Sequence, residues 1–137
     1  MTVLVDTSIW SLALRRRRRD LDARELRLVH AAREMVIAGD AAVIPLIRQE
    51  VLSGLSLASQ FATIKAQLAV LTTLPTPNEM YILAAEFYNI CRRAGSAPGA
   101  IDMTICAAAN IHGTPIFSTD PDFLRYANHL PIQLFRA

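Results

Sequence analysis

Short apolar runs recur along the chain and are separated by longer stretches in which apolar and polar residues alternate at helical spacing. The runs consist mainly of aliphatic and β-branched residues and end at Asp, Gly, Pro or charged residues, a composition typical of buried strands. They predict strands at residues 2–5, 41–44, 71–74, 115–117 and 132–135.

Helices are predicted between these runs. In the stretch 21–38, Leu28, Ala32 and Met35 fall on one helical face, and Gly39 follows where a helix would end. The stretch 100–112 is apolar on nearly every side, which indicates a buried helix. The complete set is a helix starting near Ile9 and helices at 21–38, 45–58, 60–70, 78–94, 100–112 and 121–127.

Strands that alternate with helices predict an α/β protein in which a parallel sheet is covered on both faces. We therefore expect a three-layer α/β/α fold with a central, mainly parallel sheet of four to five strands. The chain has 137 residues, of which 53% are hydrophobic and 19% charged. This size and composition fit one domain over residues 1–137.

Cysteine usage and hydropathy indicate a cytoplasmic protein. Cys91 and Cys106 form no CxxC pair and are predicted to be reduced core thiols. The sequence has no signal-peptide pattern and no apolar run near the roughly 18 residues that a membrane span needs. We expect no membrane association.

Four acidic residues, Asp6, Glu50, Asp102 and Asp120, stand where apolar segments meet turns or helix starts. Each has an ordinary explanation: Asp6 and Asp120 could cap helices, Asp102 could complement a helix dipole, and Glu50 could be a surface residue beside an apolar stripe. Gathered at one edge of a parallel sheet, however, they would need a divalent cation or raised pKa values. Oxygen ligands without His or Cys favour Mg²⁺ or Mn²⁺.

The sequence around these acids resembles the PIN-domain family. The resemblance rests on the opening Val-Leu-Val-Asp-Thr-Ser ending at Ser8, Glu50 near a helix start, the Ile101-Asp102 pair opening an Ala-rich helix, and the stretch Phe-Ser-Thr-Asp-Pro-Asp-Phe at 117–123. It spans residues 2 to about 135, and within the family the chain is most similar to VapC toxins of bacterial toxin–antitoxin pairs.

This resemblance implies a toxin that acts as an Mg²⁺- or Mn²⁺-dependent endoribonuclease, hydrolysing RNA phosphodiester bonds. It also implies a cognate antitoxin protein as partner and a homodimer. The implied catalytic and metal-binding residues are Asp6, Glu50, Asp102 and Asp120, with Asp122 as an accessory ligand. The implied accessory hydroxyls are those of Thr7 or Ser8, and of Ser118, which stands where many relatives have Thr.

The basic residues are almost all arginine, since Lys65 is the only lysine among fourteen cations, and the net charge is a mild +2. Five of them are consecutive and form an arginine run: Arg15, Arg16, Arg17, Arg18 and Arg19. A solvated helix end would explain the run, but arginine binds phosphate in a bidentate manner, and the run follows Asp6 closely. We hypothesise that it binds RNA phosphates, with Arg92 and Arg93 as further contributors; docking of an acidic antitoxin segment remains an equal alternative.

Two rival functions remain. One is a non-catalytic PIN-like module that binds RNA or protein, against which the retained acidic residues argue. The other is a phosphoacceptor receiver domain, which would need an acidic pair after the first strand and a lysine at a late strand end. The histidines, at 30, 112 and 129, lie in different predicted elements, which makes metal-free acid–base cleavage less attractive.

Overall fold

The computed structural model describes residues 1–137 and contains a four-stranded sheet. Its strands are β1 (Val3–Val5), β2 (Ala41–Val43), β3 (Thr72–Thr73) and β4 (Ile116–Phe117), and their order is β3-β2-β1-β4. All three pairings are parallel. The central strands β1 and β2 are buried along their whole length, as expected for a sheet covered on both faces.

Seven α-helices connect or follow the strands. They are α1 (Thr7–Trp10), α2 (Ala23–Ala38), α3 (Pro45–Leu52), α4 (Ala58–Ala69), α5 (Asn78–Arg93), α6 (Ala100–His112) and α7 (Asp122–Ala127). A π-helical turn, Ser11–Arg15, continues α1, and a 3₁₀ turn, Arg18–Asp20, leads towards α2. Helix α2 begins at a capping box formed by Asp22 and Glu25, which is why it starts later than the predicted residue 21.

The strand order separates the helices into two layers. The crossovers from β1 to β2 and from β2 to β3 run in one direction across the sheet, whereas the crossover from β3 to β4 returns past β1. Because such crossovers are right-handed, α1 to α4 cover one face, and α5 and α6 cover the other. Helices α5 and α6 pack against each other, and α1 packs against α2 and α3. The predicted three-layer α/β/α fold is confirmed.

One cluster of 31 buried hydrophobic residues joins the sheet to both helical layers. Helix α6 contributes an unbroken buried run from Met103 to Ala109, so the prediction of a buried helix is confirmed. Cys91 and Cys106 are both buried and free, also as predicted. None of the helices has the length and hydropathy needed to cross a bilayer.

The structure corrects two predicted elements. The helix predicted at 45–58 ends at Leu52, because Ser53 is extended and Gly54 has a φ of 92° in the left-handed region. The strand predicted at 132–135 pairs with β4 only through a single bridge between Leu134 and Ile116, supported by two backbone hydrogen bonds. The sheet therefore has four strands, the lower of the two predicted numbers.

Candidate metal centre

The strand order creates a natural crevice between β1 and β4. The chain leaves β1 towards one side of the sheet and enters β4 from the other, and open parallel sheets bind ligands at the carboxyl ends of strands at such a switch point. Asp6 directly follows β1, and Ser118 directly follows β4. The backbone N–H of Asp6 donates to the carbonyl of Phe117 at 2.9 Å, so the two strand ends lie side by side.

Asp6 is buried, with 7% of its surface exposed, and its side chain does not cap α1. Its Oδ2 accepts hydrogen bonds from the hydroxyls of Ser8 at 3.0 Å and Ser118 at 2.7 Å. The Ser118 hydroxyl also accepts from the backbone N–H of Asp120 at 3.0 Å. Ser118 therefore links the carboxylate after β1 to the loop after β4 and orients both.

Asp102 lies in the first turn of α6 and is half-buried. The phenol of Tyr126 donates a hydrogen bond to its Oδ2 at 2.8 Å. Burial raises the pKa of Asp102, the Tyr126 hydrogen bond opposes that rise, and the charges of Asp120, Asp6 and Asp122 add to it. The raised pKa thus records both desolvation and repulsion among several carboxylates that share one site.

Tyr126 is a site residue that the sequence analysis missed. Its side chain is completely buried in α7, and burial together with the bond to Asp102 raises the pKa of its phenol, so that it remains a hydrogen-bond donor. A buried tyrosine generally needs a partner for its hydroxyl. That rule signals a partner, but only the packing of α7 against the start of α6 identifies Asp102.

Asp120 and Asp122 differ in what their carboxylates contact. Asp120 Oδ1 accepts from the backbone N–H of Asp122 at 2.9 Å, so the cap-like hydrogen bond anticipated for Asp120 does form. The carboxylate of Asp122 makes an ion pair of 2.8 Å with Arg125. Asp102, Asp120 and Asp122 can each offer one oxygen such that all three oxygens lie within 4.8 Å of one another.

Glu50 lies in α3. Its Oε1 accepts from the hydroxyl of Thr7 at 2.9 Å. Burial raises the pKa of Glu50, the Thr7 hydrogen bond lowers it, and the charge of Asp6 raises it further. Glu50 is outside the three-oxygen cluster, and it is joined to the site through Thr7 and the field of Asp6.

The four predicted carboxylates share one pattern. Each uses one oxygen to accept hydrogen bonds from the protein, and its other oxygen accepts none: Asp6 Oδ1, Glu50 Oε2, Asp102 Oδ1 and Asp120 Oδ2. Hydrogen bonds of this kind orient carboxylates that bind metals. Ligands on opposite sides of Mg²⁺ are about 4.2 Å apart, close to the bound of 4.8 Å within which the oxygens of Asp102, Asp120 and Asp122 lie.

The arginine run lies outside the three-oxygen cluster and is only partly helical. Arg15 ends the π-helical turn, Arg16 and Arg17 have extended backbones, and Arg18 and Arg19 belong to the 3₁₀ turn. The solvated helix end considered for this run therefore stops at its first residue. All five side chains are exposed, and none makes an ion pair or a side-chain hydrogen bond within the protein: Arg15, Arg16, Arg17, Arg18 and Arg19.

The residues of the arginine run lie in different surroundings. Arg18 lines an apolar groove between α1, α2 and α4, whereas Arg16 and Arg17 line neither that groove nor the cavity beside Asp120. The binding of RNA phosphates by the whole run stays a prediction, and its members face different surroundings.

The remaining predicted residues also lie outside the three-oxygen cluster. Arg92 and Arg93 are exposed in the last turn of α5. His112 contacts the carbonyl of Pro75 at 2.7 Å, and the other two histidines are exposed.

The sequence matches one protein family over most of its length. Residues 3–129 match the family described as the PIN domain. No match was found among curated protein sequences.

Solved structures share the fold at low sequence identity. FitAcB from Neisseria gonorrhoeae superposes with a TM-score of 0.70 at 18% identity, over 98% of this chain and 97% of that chain. VapBC2 from Rickettsia felis, bound to a DNA fragment from its promoter, gives a TM-score of 0.74 at 13% identity, over 98% of each chain. DNA-bound VapBC from Salmonella typhimurium gives 0.72 at 15% identity, over 98% of this chain and 97% of that chain.

Proposed function

The chain belongs to the PIN domain family, and on that premise we propose that it is a divalent-metal-dependent endoribonuclease and the toxin of a toxin–antitoxin pair. The family assignment and the fold shared with toxin–antitoxin complexes support this reading. The observation that carries it is the set of four carboxylates beside the β1–β4 crevice, each oriented by the protein and each with one oxygen free.

We assign the metal-binding role to Asp102 and Asp120, with the free oxygen of Asp6 as a further ligand. Asp122 is the weaker candidate because its carboxylate is already neutralised by Arg125. When bound, Mg²⁺ or Mn²⁺ would polarise the scissile phosphate and lower the pKa of a bound water. The surrounding hydroxyls of Ser8, Ser118 and Tyr126 would hold the carboxylates in place throughout.

Glu50 is suited to accept the proton of the attacking water. Its pKa is raised by burial and by Asp6, which brings a carboxyl group closer to the range in which it is an effective base. The hydroxyl of Thr7 fixes one oxygen of Glu50, and the second oxygen remains free for the water. As the proton acceptor, Glu50 would take part in catalysis although it lies outside the three-oxygen cluster.

The antitoxin, in this proposal, binds the apolar groove between α1, α2 and α4. Its walls include three strongly exposed apolar side chains, Val36, Ile37 and Val70, which are 39%, 77% and 80% exposed. Exposed apolar surface that is contiguous typically marks a protein interface. Arg18 and Arg33 also line the groove, so an apolar segment with acidic residues would complement it, and this favours the antitoxin use of Arg18.

A second copy of the chain is proposed to pack on α5. Tyr81 and Ile82 are 49% and 54% exposed there, and aromatic and apolar side chains are typical of interface cores. Light scattering of the purified protein would measure whether it is a dimer.

The decisive experiment is cleavage of a labelled RNA by the purified protein, with Mg²⁺, with Mn²⁺ and with a chelator. Asp6→Asn and Asp102→Asn should abolish metal-dependent cleavage. Asp40→Asn is the matched control, because Asp40 lies at the amino edge of the sheet and its carboxylate contacts only the N-terminal amine.

Cleavage that survives the chelator, or full activity of both folded site variants, would refute the proposal. Binding of RNA without any metal-dependent cleavage, with Asp40→Asn and the site variants behaving alike, would support the non-catalytic module instead.

A further inference from the structure

A cavity of about 350 Å³ borders the proposed metal centre on the side of β4. Ser118, Thr119 and Asp120 form part of its wall, so a ligand in the cavity would lie against the loop that holds a catalytic carboxylate. The opposite walls come from the start of α2 and from the segment after α7. The functional roles assigned so far do not use this space.

Three arginines line the cavity: Arg24 and Arg27 from α2, and Arg136 from the segment that follows α7. Arg24 and Arg27 are three residues apart and therefore lie on the same helical face. All three are exposed, and none makes an ion pair or a side-chain hydrogen bond within the protein. Their guanidinium groups are therefore free to bind an external anion.

These positive charges do not stabilise the fold. Arg24 and Arg27 lie within the first two turns of α2, which begins after Asp22. The helix dipole disfavours positive charge at a helix N-terminus, and the cap is supplied by Asp22 and Glu25 instead. A charge that costs the helix a little and stabilises no internal partner is better explained by binding.

The walls fit a nucleotide unit better than a protein element. Beside the arginines, the cavity has an apolar side that includes Leu124, which is 56% exposed, and the half-buried ring of Phe135. Proteins bind single-stranded nucleic acid by combining basic groups for phosphates with apolar or aromatic surfaces for bases. A volume near the lower end of small-ligand pockets, about 300 Å³, is too small for a helix about 10 Å across.

We propose that Arg24, Arg27 and Arg136 form a phosphate-binding subsite that holds the RNA strand next to the cleaved bond. This inference rests on the proposed function for the identity of the ligand. Arginine is suited to the task because its planar fork contacts phosphate oxygens in pairs. Contacts of this kind position the strand and carry no sequence preference.

The test measures binding of a fluorescein-labelled, single-stranded RNA in the presence of a chelator, so that cleavage plays no part. The variants are Arg24→Gln, Arg27→Gln, Arg136→Gln and the triple combination, each checked for folding by circular dichroism. Lys65→Gln is the control, because Lys65 is exposed on α4 and lies outside the cavity. This substitution removes the same unit of positive charge as each arginine variant.

Each lost phosphate contact should reduce the slope of log affinity against log salt by about 0.7 for a single strand, hence by about 2 for the triple variant. Affinity should fall similarly for RNAs of different sequence, and Lys65→Gln should lose less than any single arginine variant. Unchanged affinity and salt slope in the triple variant would overturn the subsite. The subsite would also be overturned if the triple variant kept its RNA affinity but no longer bound an acidic partner protein.

The outcomes separate this inference from the proposed function. If the wild-type protein cleaves RNA and the triple variant binds and cleaves like it, the subsite is wrong and the nuclease stands. If the wild-type protein shows no metal-dependent cleavage but the arginine variants lose RNA binding, the subsite stands and the nuclease is wrong.

Discussion

Replacing Tyr126 by Phe isolates the contribution of one hydrogen bond to the proposed metal centre. The change removes the phenol that donates to Asp102 Oδ2 at 2.8 Å and leaves the buried ring in place. It also removes a weak acceptor for the backbone N–H of Gly99, at 3.4 Å. The packing of α7 should otherwise be retained.

The expected magnitude follows from the charge on Asp102. A hydrogen bond to an ionised group contributes about 1.5–3 kcal/mol, and the half-buried carboxylate recovers part of this from water. We expect the free energy of unfolding of the metal-free protein to fall by about 1–2 kcal/mol. Loss of a partner that orients a metal ligand commonly weakens metal binding by about 10–100-fold.

Isothermal titration calorimetry with Mn²⁺ at neutral pH measures the affinity, and thermal unfolding with and without Mn²⁺ provides a second readout. Tyr88→Phe is the control, because Tyr88 is half-buried on α5, lies outside the three-oxygen cluster and makes no hydrogen bond through its hydroxyl within the protein. If folded Tyr126→Phe binds Mn²⁺ as tightly as wild type and Tyr88→Phe do, then Tyr126 does not position Asp102 for metal binding.

Three further predictions use other parts of the structure. Ser118→Ala should weaken Mn²⁺ binding by about tenfold, because it removes the hydroxyl that links Asp6 to the loop of Asp120. Ser118→Thr keeps a hydroxyl and should bind Mn²⁺ like the wild type. Equal Mn²⁺ affinities of the two variants would contradict this role of Ser118. The pKa values of Asp102 and Glu50 are raised in the folded, metal-free protein, so the stability that these two groups contribute should be fully present below their unfolded pKa values and be lost as pH rises through the folded ones. Denaturant unfolding across this range should show a flatter profile for Asp102→Asn, and an identical profile would refute the assignment. Gly54→Ala should lower the free energy of unfolding by about 1 kcal/mol, measured in the same way, because a side chain is strained at a φ of 92°, although an added Cβ would meet only Arg15 Nη2, at an ordinary contact distance of 3.8 Å. An unchanged stability would mean that the turn relaxes.

Much of the architecture can be predicted from the sequence, because the patterns that indicate strands and helices are local. The apolar runs at β1 and β2, the periodicity of α2 and the all-round hydropathy of α6 each follow from residues close together in the chain. The errors arose where a local signal was weak. The helix predicted at 45–58 includes Gly54, whose left-handed conformation lies just beyond the observed end of the helix at Leu52. The stretch 132–135 has the composition of a strand, although only Leu134 pairs with β4.

The acidic residues themselves were visible as carboxylates beside apolar segments, and the resemblance around them indicated a metal site. Their hydrogen bonds were not visible, because the partners are far away in sequence. Ser118 reaches Asp6 across 112 positions, and Tyr126 reaches Asp102 across 24.

The arginines show the same contrast between local and long-range signals. The arginine run is evident in the sequence, whereas only the structure shows that its backbone changes from a π-helical turn at Arg15 to extended at Arg16 and Arg17. Arg24, Arg27 and Arg136 are scattered along the chain, and they converge on one cavity only when it folds.

The sequence by itself determined the buried strands β1 and β2, the alternation of strands with helices, and which carboxylates stand at their ends, since periodicity and capping act over a few residues. Only the tertiary structure decided which oxygen of each carboxylate is held and which is free, that Asp122 is paired with Arg125, and where unpaired arginines meet the site. The physical reason is that hydrogen-bond geometry and charge–charge repulsion depend on distances of a few ångströms. Those distances are set by how β1, β4, α6 and α7 pack, and no local pattern in the chain encodes them.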